Sequence, residues 1–163
     1  IPSLGVRRFS STTENLINML CNSGIPTAES QYYIVLRYKL GIAEGVSEIP
    51  IGKCFPLEMN CDYLNGVSFH KGCYIGQELT ARTYHTGVVR KRIMPLTLSS
   101  VPDKEVDYDS VIVTEDDQVV GKLRGIYGKH CISLSRISES LKNPKLNLNG
   151  ISASTWKPFW WPS

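Results

Sequence analysis

Beyond Gly87 the apolar residues change their period, and that change limits the folds open to the chain. Met94, Leu96 and Leu98 alternate with smaller or polar residues, as a strand with one buried face requires. Short strand-like runs follow at Ser110 to Thr114, Val119 to Ile126, His130 to Ser135 and Ile151 to Ser154. Asp116-Asp117 and Tyr127-Gly128 supply turns between them. Several short strands at close spacing predict a small antiparallel barrel or sandwich. Pro95 has no N–H to give a ladder, so its strand is expected at an edge or a bulge.

Before Gly87 the pattern is mostly helical. Leu4 to Phe9 suits a strand, and Thr12 or Thr13 can cap a short helix through Leu16, Ile17 and Leu20. Pro26-Thr27 opens a second helix, with Ala28, Tyr32, Val35, Leu36 and Leu40 at helical spacing. Gly41 suits the position after its end, and Arg37 and Lys39 suit the negative end of its dipole. A loop is expected from Gly41 to Gly52, and a third short helix from Pro56 through Leu64. Asn65-Gly66 is the turn after it, and Val67-Ser68-Phe69 alternates briefly. The 163 residues therefore divide near Gly87. Residues 1–87 form a mixed α/β part and residues 88–163 a small β domain.

Apolar residues make up 42% of the chain and charged residues 20%, which suits a folded protein and argues against disorder. No apolar run is long enough for a membrane span. A net charge of +3 is too small to imply nucleic acid. The charge is uneven, however. Leu79 to Pro102 holds no acid but carries Arg82, Arg90, Lys91 and Arg92, with His85 among them. Such a stretch is either a solvated strand edge or a surface for an anionic partner. Five cysteines, an odd number without zinc-type spacing, indicate a reducing compartment.

Arg7-Arg8-Phe9-Ser10-Ser11 has the flavour of a transit peptide, but Leu4 to Phe9 serves equally as a strand and Glu14 follows closely. This stretch is taken as folded chain, with Ile1 marking a truncation and any targeting segment upstream. At the other end, Trp156 to Ser163 is densely aromatic. It is expected to pack back on the domain, with a partner-docking patch as the alternative.

The chemistry is concentrated in Lys71-Gly72-Cys73-Tyr74-Ile75-Gly76-Gln77-Glu78, which runs into a helical segment through Arg82. Gly72 and Gly76 permit positive φ or close backbone approach. The helix N-terminus after them offers free N–H donors to an anion or a thiolate. Lys71 and that N-terminus both favour the thiolate of Cys73. A thiol so placed is a nucleophile, a metal ligand or a redox group. The plain alternative is a small buried hydrophobe. One thiol cannot close an iron–sulfur or zinc site, so Cys73 would share one with a partner, with Cys54 and Cys61 as further candidates within twenty residues. Lys71 can hold a carboxylate or phosphate. Glu78 complements the dipole and can pair with Arg82 one turn on. Glu58 can accept from a ring amine or pair with a lysine.

Pro56-Leu57-Glu58, Asn65 to Phe69, the octet, Leu79 to His85, Gly87 and Arg90-Lys91-Arg92 together resemble one family. It is the folate-binding YgfZ-type family, related to the aminomethyltransferase (T-protein) of the glycine cleavage system. The match through Ala81-Arg82-Thr83 is most similar to its mitochondrial branch of iron–sulfur cluster assembly factors. The similarity is strong from about Arg37 to Arg92 and looser through the barrel part.

The resemblance implies an α+β chain: the C-terminal part of an aminomethyltransferase-like folate-binding fold, then a small antiparallel β-barrel. It implies a role late in 4Fe–4S cluster formation in the mitochondrial matrix, beside A-type carrier proteins. Tetrahydrofolate and a transient or shared iron–sulfur cluster are the implied cofactors. Cys73 is then the functional thiol and the candidate cluster ligand, and Lys71, Gly72, Tyr74, Gly76, Gln77, Glu78 and Arg82 line the folate side. The family's N-terminal domain, which supplies much of that pocket, is largely absent. Two other readings stand beside this one. The first is a tetrahydrofolate-dependent one-carbon transferase, although related aminomethyltransferases generally lack a cysteine at the Cys73 position. The second is a structural module whose basic strand meets an acidic partner.

Overall fold

In the computed structural model, residues 13–162 are described, with side chains from residue 16 onward. The expected strand at Leu4 to Phe9 lies outside the described residues. Three helices precede the octet: α1 (Thr13–Asn22), α2 (Ser30–Leu40) and the single turn α3 (Gly45–Glu48). The fourth, α4 (Gln77–Thr86), begins with the octet's last two residues. The strands are β1 (Lys91–Leu98), β2 (Val111–Thr114), β3 (Val119–Tyr127) and β4 (His130–Arg136). A short helix α5 (Ile137–Lys142) and the hairpin β5 (Leu146–Leu148) and β6 (Ile151–Thr155) complete the chain. No helix among the described residues is long and apolar enough to cross a membrane.

The six strands close into an antiparallel barrel in the order β1-β4-β3-β2-β5-β6. Leu96, Leu98, Ile112, Leu123, Leu146 and Leu148 fill its interior, each almost fully removed from water. Bulges interrupt the ladder between Leu123 and Gly125 and between Ile112 and Val113. Extra residues of this kind sharpen the bend that a small barrel needs.

A second cluster lies outside the barrel. There Tyr38 of α2 and Met59 pack on Ile93, Ile132 and Leu134. A third joins Ile42 and Met94 to Trp160 and Trp161. The aromatic tail thus packs back as expected, with the Trp160 indole N–H donating to the Leu40 carbonyl at 2.9 Å, while Phe159 stays in solvent.

Several local expectations need correction. Pro56 to Leu64 is a succession of turns rather than a helix. Asn60 at φ 60° and Asn65 at φ 58° adopt left-handed backbone that no helix continues through. Val67 to Phe69 joins no strand. The loop from Gly41 to Gly52 contains α3.

The inward face of α2 is set by Arg37 and Tyr38, while Tyr32 and Leu36 face outward. Arg37 is a buried ion-pair partner rather than a dipole cation. Its guanidinium donates to both Glu48 carboxylate oxygens, at 2.8 and 3.0 Å. Burial works against that charge, and the bond to Glu48 overrides it and holds the arginine above its usual value. Gly41 ends α2 at φ 68°, as expected.

Pro95 sits inside β1, which has neighbours on both sides. The Leu98 N–H turns toward β4 and the Ser99 N–H toward β6. Odd-numbered N–H groups of β1 therefore face the β6 side, where pairing begins only at Leu96. The missing donor of Pro95 falls where β6 has already ended. The same open stretch leaves the Ile93 N–H, and a residue from outside the barrel takes it.

Candidate functional site

That residue is Glu58, whose carbonyl accepts from the Ile93 N–H at 2.8 Å. The turn segment 56–65 lies along the uncovered edge of β1 like a partial strand. The Asn60 side-chain amide donates to the Ile93 carbonyl at 2.9 Å. Arg92 donates to the Leu57 carbonyl at 2.7 Å and forks onto the Asp62 carboxylate at 2.8 and 2.7 Å. Its guanidinium also stacks 3.8 Å above the Tyr63 ring. Arg92 is therefore buried and bonded to this segment, and the exposed basic surface reduces to Arg82, Arg90 and Lys91 with His85. The alternation of Met94, Leu96 and Leu98, carried back two residues, puts Arg92 on the same buried face. That was the available signal.

The octet forms an exposed loop that winds into α4. Gly76 is the residue before the helix, in left-handed backbone at φ 81° that few side chains tolerate. Gly72 is not in that region, and a Cβ on it would meet nothing within 4 Å. The Tyr74 N–H donates to the Gln77 side-chain oxygen at 3.3 Å, and the Gln77 N–H to the Tyr74 carbonyl at 3.1 Å. This reciprocal pair fixes the turn after Cys73. The Lys71 ammonium sits 4.7 Å above the Tyr74 ring. Phe69 stacks on Tyr84 at 3.8 Å and 13°, which ties the start of the loop to the last turn of α4.

The Cys73 thiol is free and exposed in the structure and not packed in a core. Ile75 beside it is fully exposed. Glu78 and Arg82 are exposed one turn apart, and the ion pairs of the described residues do not join them. Cys54 and Cys61 are half-buried, and burial pushes both thiols up. Cys131 lies in the barrel core with its thiol pushed up to about 12. Among the described residues no group of three His, Cys, Asp or Glu side chains gathers to hold a metal.

Beside the loop, between α4, the 55–58 segment and the approach to β1, lies a cleft of about 280 Å³. Phe55, Leu57, Leu79 and Val88 give it apolar walls, Glu58 an acceptor, and Arg90 and Lys91 a cationic end. The inward side of α4, through Thr80 and Thr83, forms one wall. Of the octet and Arg82, none lines this cleft. Gln77, Glu78 and Arg82 belong to the helix that walls it, and Lys71 to Gly76 form the loop before that helix.

A closed six-stranded barrel with α2 packed on its outer face, preceded by the loop that enters α4, makes a chain of α+β class. A solved aminomethyltransferase T of the glycine cleavage system from Bartonella henselae superposes with a TM-score of 0.61 over 91% of this chain and 44% of that one. At 13% identity that likeness speaks for the fold alone. Residues 90–163 match the family described as CAF17, C-terminal beta-barrel domain.

Three relatives bear the name iron–sulfur cluster assembly factor IBA57, mitochondrial, or its homolog. The mouse protein is 46% identical over 139 residues, 82% of this chain and 38% of its own length. The human protein is 42% identical over 133 residues, 78% of this chain and 37% of its own. That of Mycosarcoma maydis is 32% identical over 209 aligned positions, 99% of this chain and 51% of its own. The chain belongs to this family of assembly factors, and spans between about a third and a half of the length of these relatives.

Proposed function

We propose that the chain is the cysteine-loop and barrel portion of a mitochondrial matrix factor acting late in 4Fe–4S cluster assembly. Cys73 is its functional thiol. The observation that carries this reading is the exposure of Cys73 on a loop held rigid by the Tyr74–Gln77 pair and the Phe69–Tyr84 stack. An exposed thiol before a helix N-terminus is placed to meet a cluster as cargo, with the remaining ligands coming from an A-type carrier. The names of the relatives point the same way.

The cleft suits a folate. Its apolar walls fit a flat ring, the Glu58 carboxylate accepts from ring amines, and Arg90 and Lys91 suit an acidic tail. Tetrahydrofolate would contribute ring nitrogens able to carry a one-carbon unit. This chain's part is to bind and orient the ring, with Lys71, Gln77 and Glu78 on the loop side of the same helix.

The test is aconitase activity in cells lacking the endogenous protein. They are rescued by the intact protein, unchanged or with Cys73→Ser, at matched levels. Failure of a folded serine variant is the expected result. Full rescue by it would remove Cys73 from the mechanism.

The alternative reading, a tetrahydrofolate-dependent one-carbon transferase, is favoured by the fold likeness to an aminomethyltransferase. Turnover of methylene-tetrahydrofolate by the intact protein with an amine acceptor would establish it.

A further inference from the structure

We infer that Arg92 is a positioning residue for the Glu58 carboxylate. It acts through the backbone and does not enter the cleft itself. The inference rests on the reading of that cleft as a folate site.

The geometry carries it. Glu58 lies between two peptide groups, and both carbonyls are taken by β1. The Leu57 carbonyl accepts from Arg92 at 2.7 Å and the Glu58 carbonyl from the Ile93 N–H at 2.8 Å. Fixing the peptides on both sides of one Cα fixes the direction of its Cα–Cβ bond, and with it the region the carboxylate can reach through a few rotamers. Asn60 and Asp62 complete the clamp from the other side. Asn60, fully buried, bridges to the Ile93 carbonyl at 2.9 Å and accepts from Arg92 at 3.3 Å. Asp62 holds the guanidinium in a two-pronged fork.

Arg92 does not serve the ligand directly: it is buried, its Nη1 and Nη2 groups bond Leu57, Asn60 and Asp62, and its face is stacked on Tyr63. The next two residues back, Arg90 and Lys91, line the cleft. Residues 90–93, at the entry to β1, thus supply the cationic end of the cleft and, through Arg92 and Ile93, hold the backbone of the acidic wall in register. Sites whose polar groups are fixed in advance lose less freedom when a ligand arrives.

The experiment is a double-mutant cycle on the intact protein, with 5-formyltetrahydrofolate as the probe and calorimetric Kd as the readout. Arg92→Lys keeps the charge but loses the fork, and Glu58→Gln removes the charged acceptor. Each single change is expected to weaken binding roughly tenfold, the scale of one charge-assisted hydrogen bond. The double variant is expected to bind no more weakly than Glu58→Gln alone, because Arg92 acts only through Glu58. A merely structural arginine would give losses that multiply. Multiplying losses, or wild-type affinity in folded Arg92→Lys, would overturn the positioning role and leave the folate reading standing. An unchanged protein that does not bind the probe would overturn the cleft reading, and this inference with it. If Arg92→Lys does not fold, Asp62→Asn loosens the same fork with the arginine in place and takes its position in the cycle.

Discussion

The Tyr38 hydroxyl of α2 lies directly against the backbone of Gly125, where β3 bulges. A Cβ on Gly125 would sit 2.8 Å from the Tyr38 ring carbon that bears the hydroxyl. The absent side chain lets that hydroxyl donate to Glu48 at 2.9 Å. Gly125→Ala is therefore expected to destabilise the fold by about 1–3 kcal/mol through overpacking. Urea denaturation should show a lower midpoint with an unchanged slope.

Glu48 is the common acceptor for Arg37, Tyr38 and the Glu44 N–H. Removing one member of a buried pair leaves the other charge without compensation. Glu48→Ala is expected to cost about 3–5 kcal/mol. Glu48→Gln, which keeps the shape, should cost less. Thermal melts of the two variants side by side check the order.

The five thiols differ in access, so alkylation of the native protein should be graded. Cys73 and Cys21 are exposed and should react first with iodoacetamide. Cys131, buried and pushed up to about 12, should react only after unfolding. Peptide mapping of a timed reaction reads this directly.

His130 is held below its ordinary value by burial, with the positive charges of Lys39 on α2 and Lys129 beside it adding to the effect. The unfolded chain then binds its proton at a higher pH than the folded one. The contribution of His130 to stability is full above the unfolded value of about 6.5 and declines as the pH falls below it. Denaturation midpoints between pH 7.5 and 5 should show the decline, and His130→Gln should flatten it.

Trp161 stands edge-on to Tyr63 at 5.8 Å, near the Arg92 guanidinium. Trp161→Ala is expected to lose about 3–5 kcal/mol, as large-to-small core changes do. Phe159→Ser, at an exposed position of the same tail, should stay within about 0.5 kcal/mol of wild type. Comparing their melting temperatures separates packing from mere hydrophobicity.

Much of the barrel was legible because period-2 alternation and turn residues are local signals. β2, β3, β4 and β6 lie within a residue or so of the expected runs. β5 was not expected, since three residues carry almost no pattern. α4 and its glycine entry were readable from the octet.

The 56–65 turns were not, because helical spacing of Leu57, Cys61 and Leu64 is mimicked by turns packed on a barrel. The left-handed Asn60, tied by its side chain to β1, and Asn65 break the resemblance. Arg37 and Arg92 looked like surface cations because charge is read as exposure. Their acids, Glu48 and Asp62, lie eleven and thirty residues away, beyond any local rule. The exposed position of Cys73 follows from the loop, whereas the cleft is assembled from three separate segments and has no sequence signature.

The closure of the barrel is completed from outside it. Along the part of β1 that β6 does not reach, the Glu58 carbonyl and the Asn60 side-chain amide take the bonds of Ile93 that a neighbouring strand would make. Residues 90–163 separated from them would carry a bare ladder beside Ile93, and bare ladders recruit other chains. The 56–65 turns thus act as an edge guard for the barrel, so a lesion in them would surface as self-association through the open edge of β1.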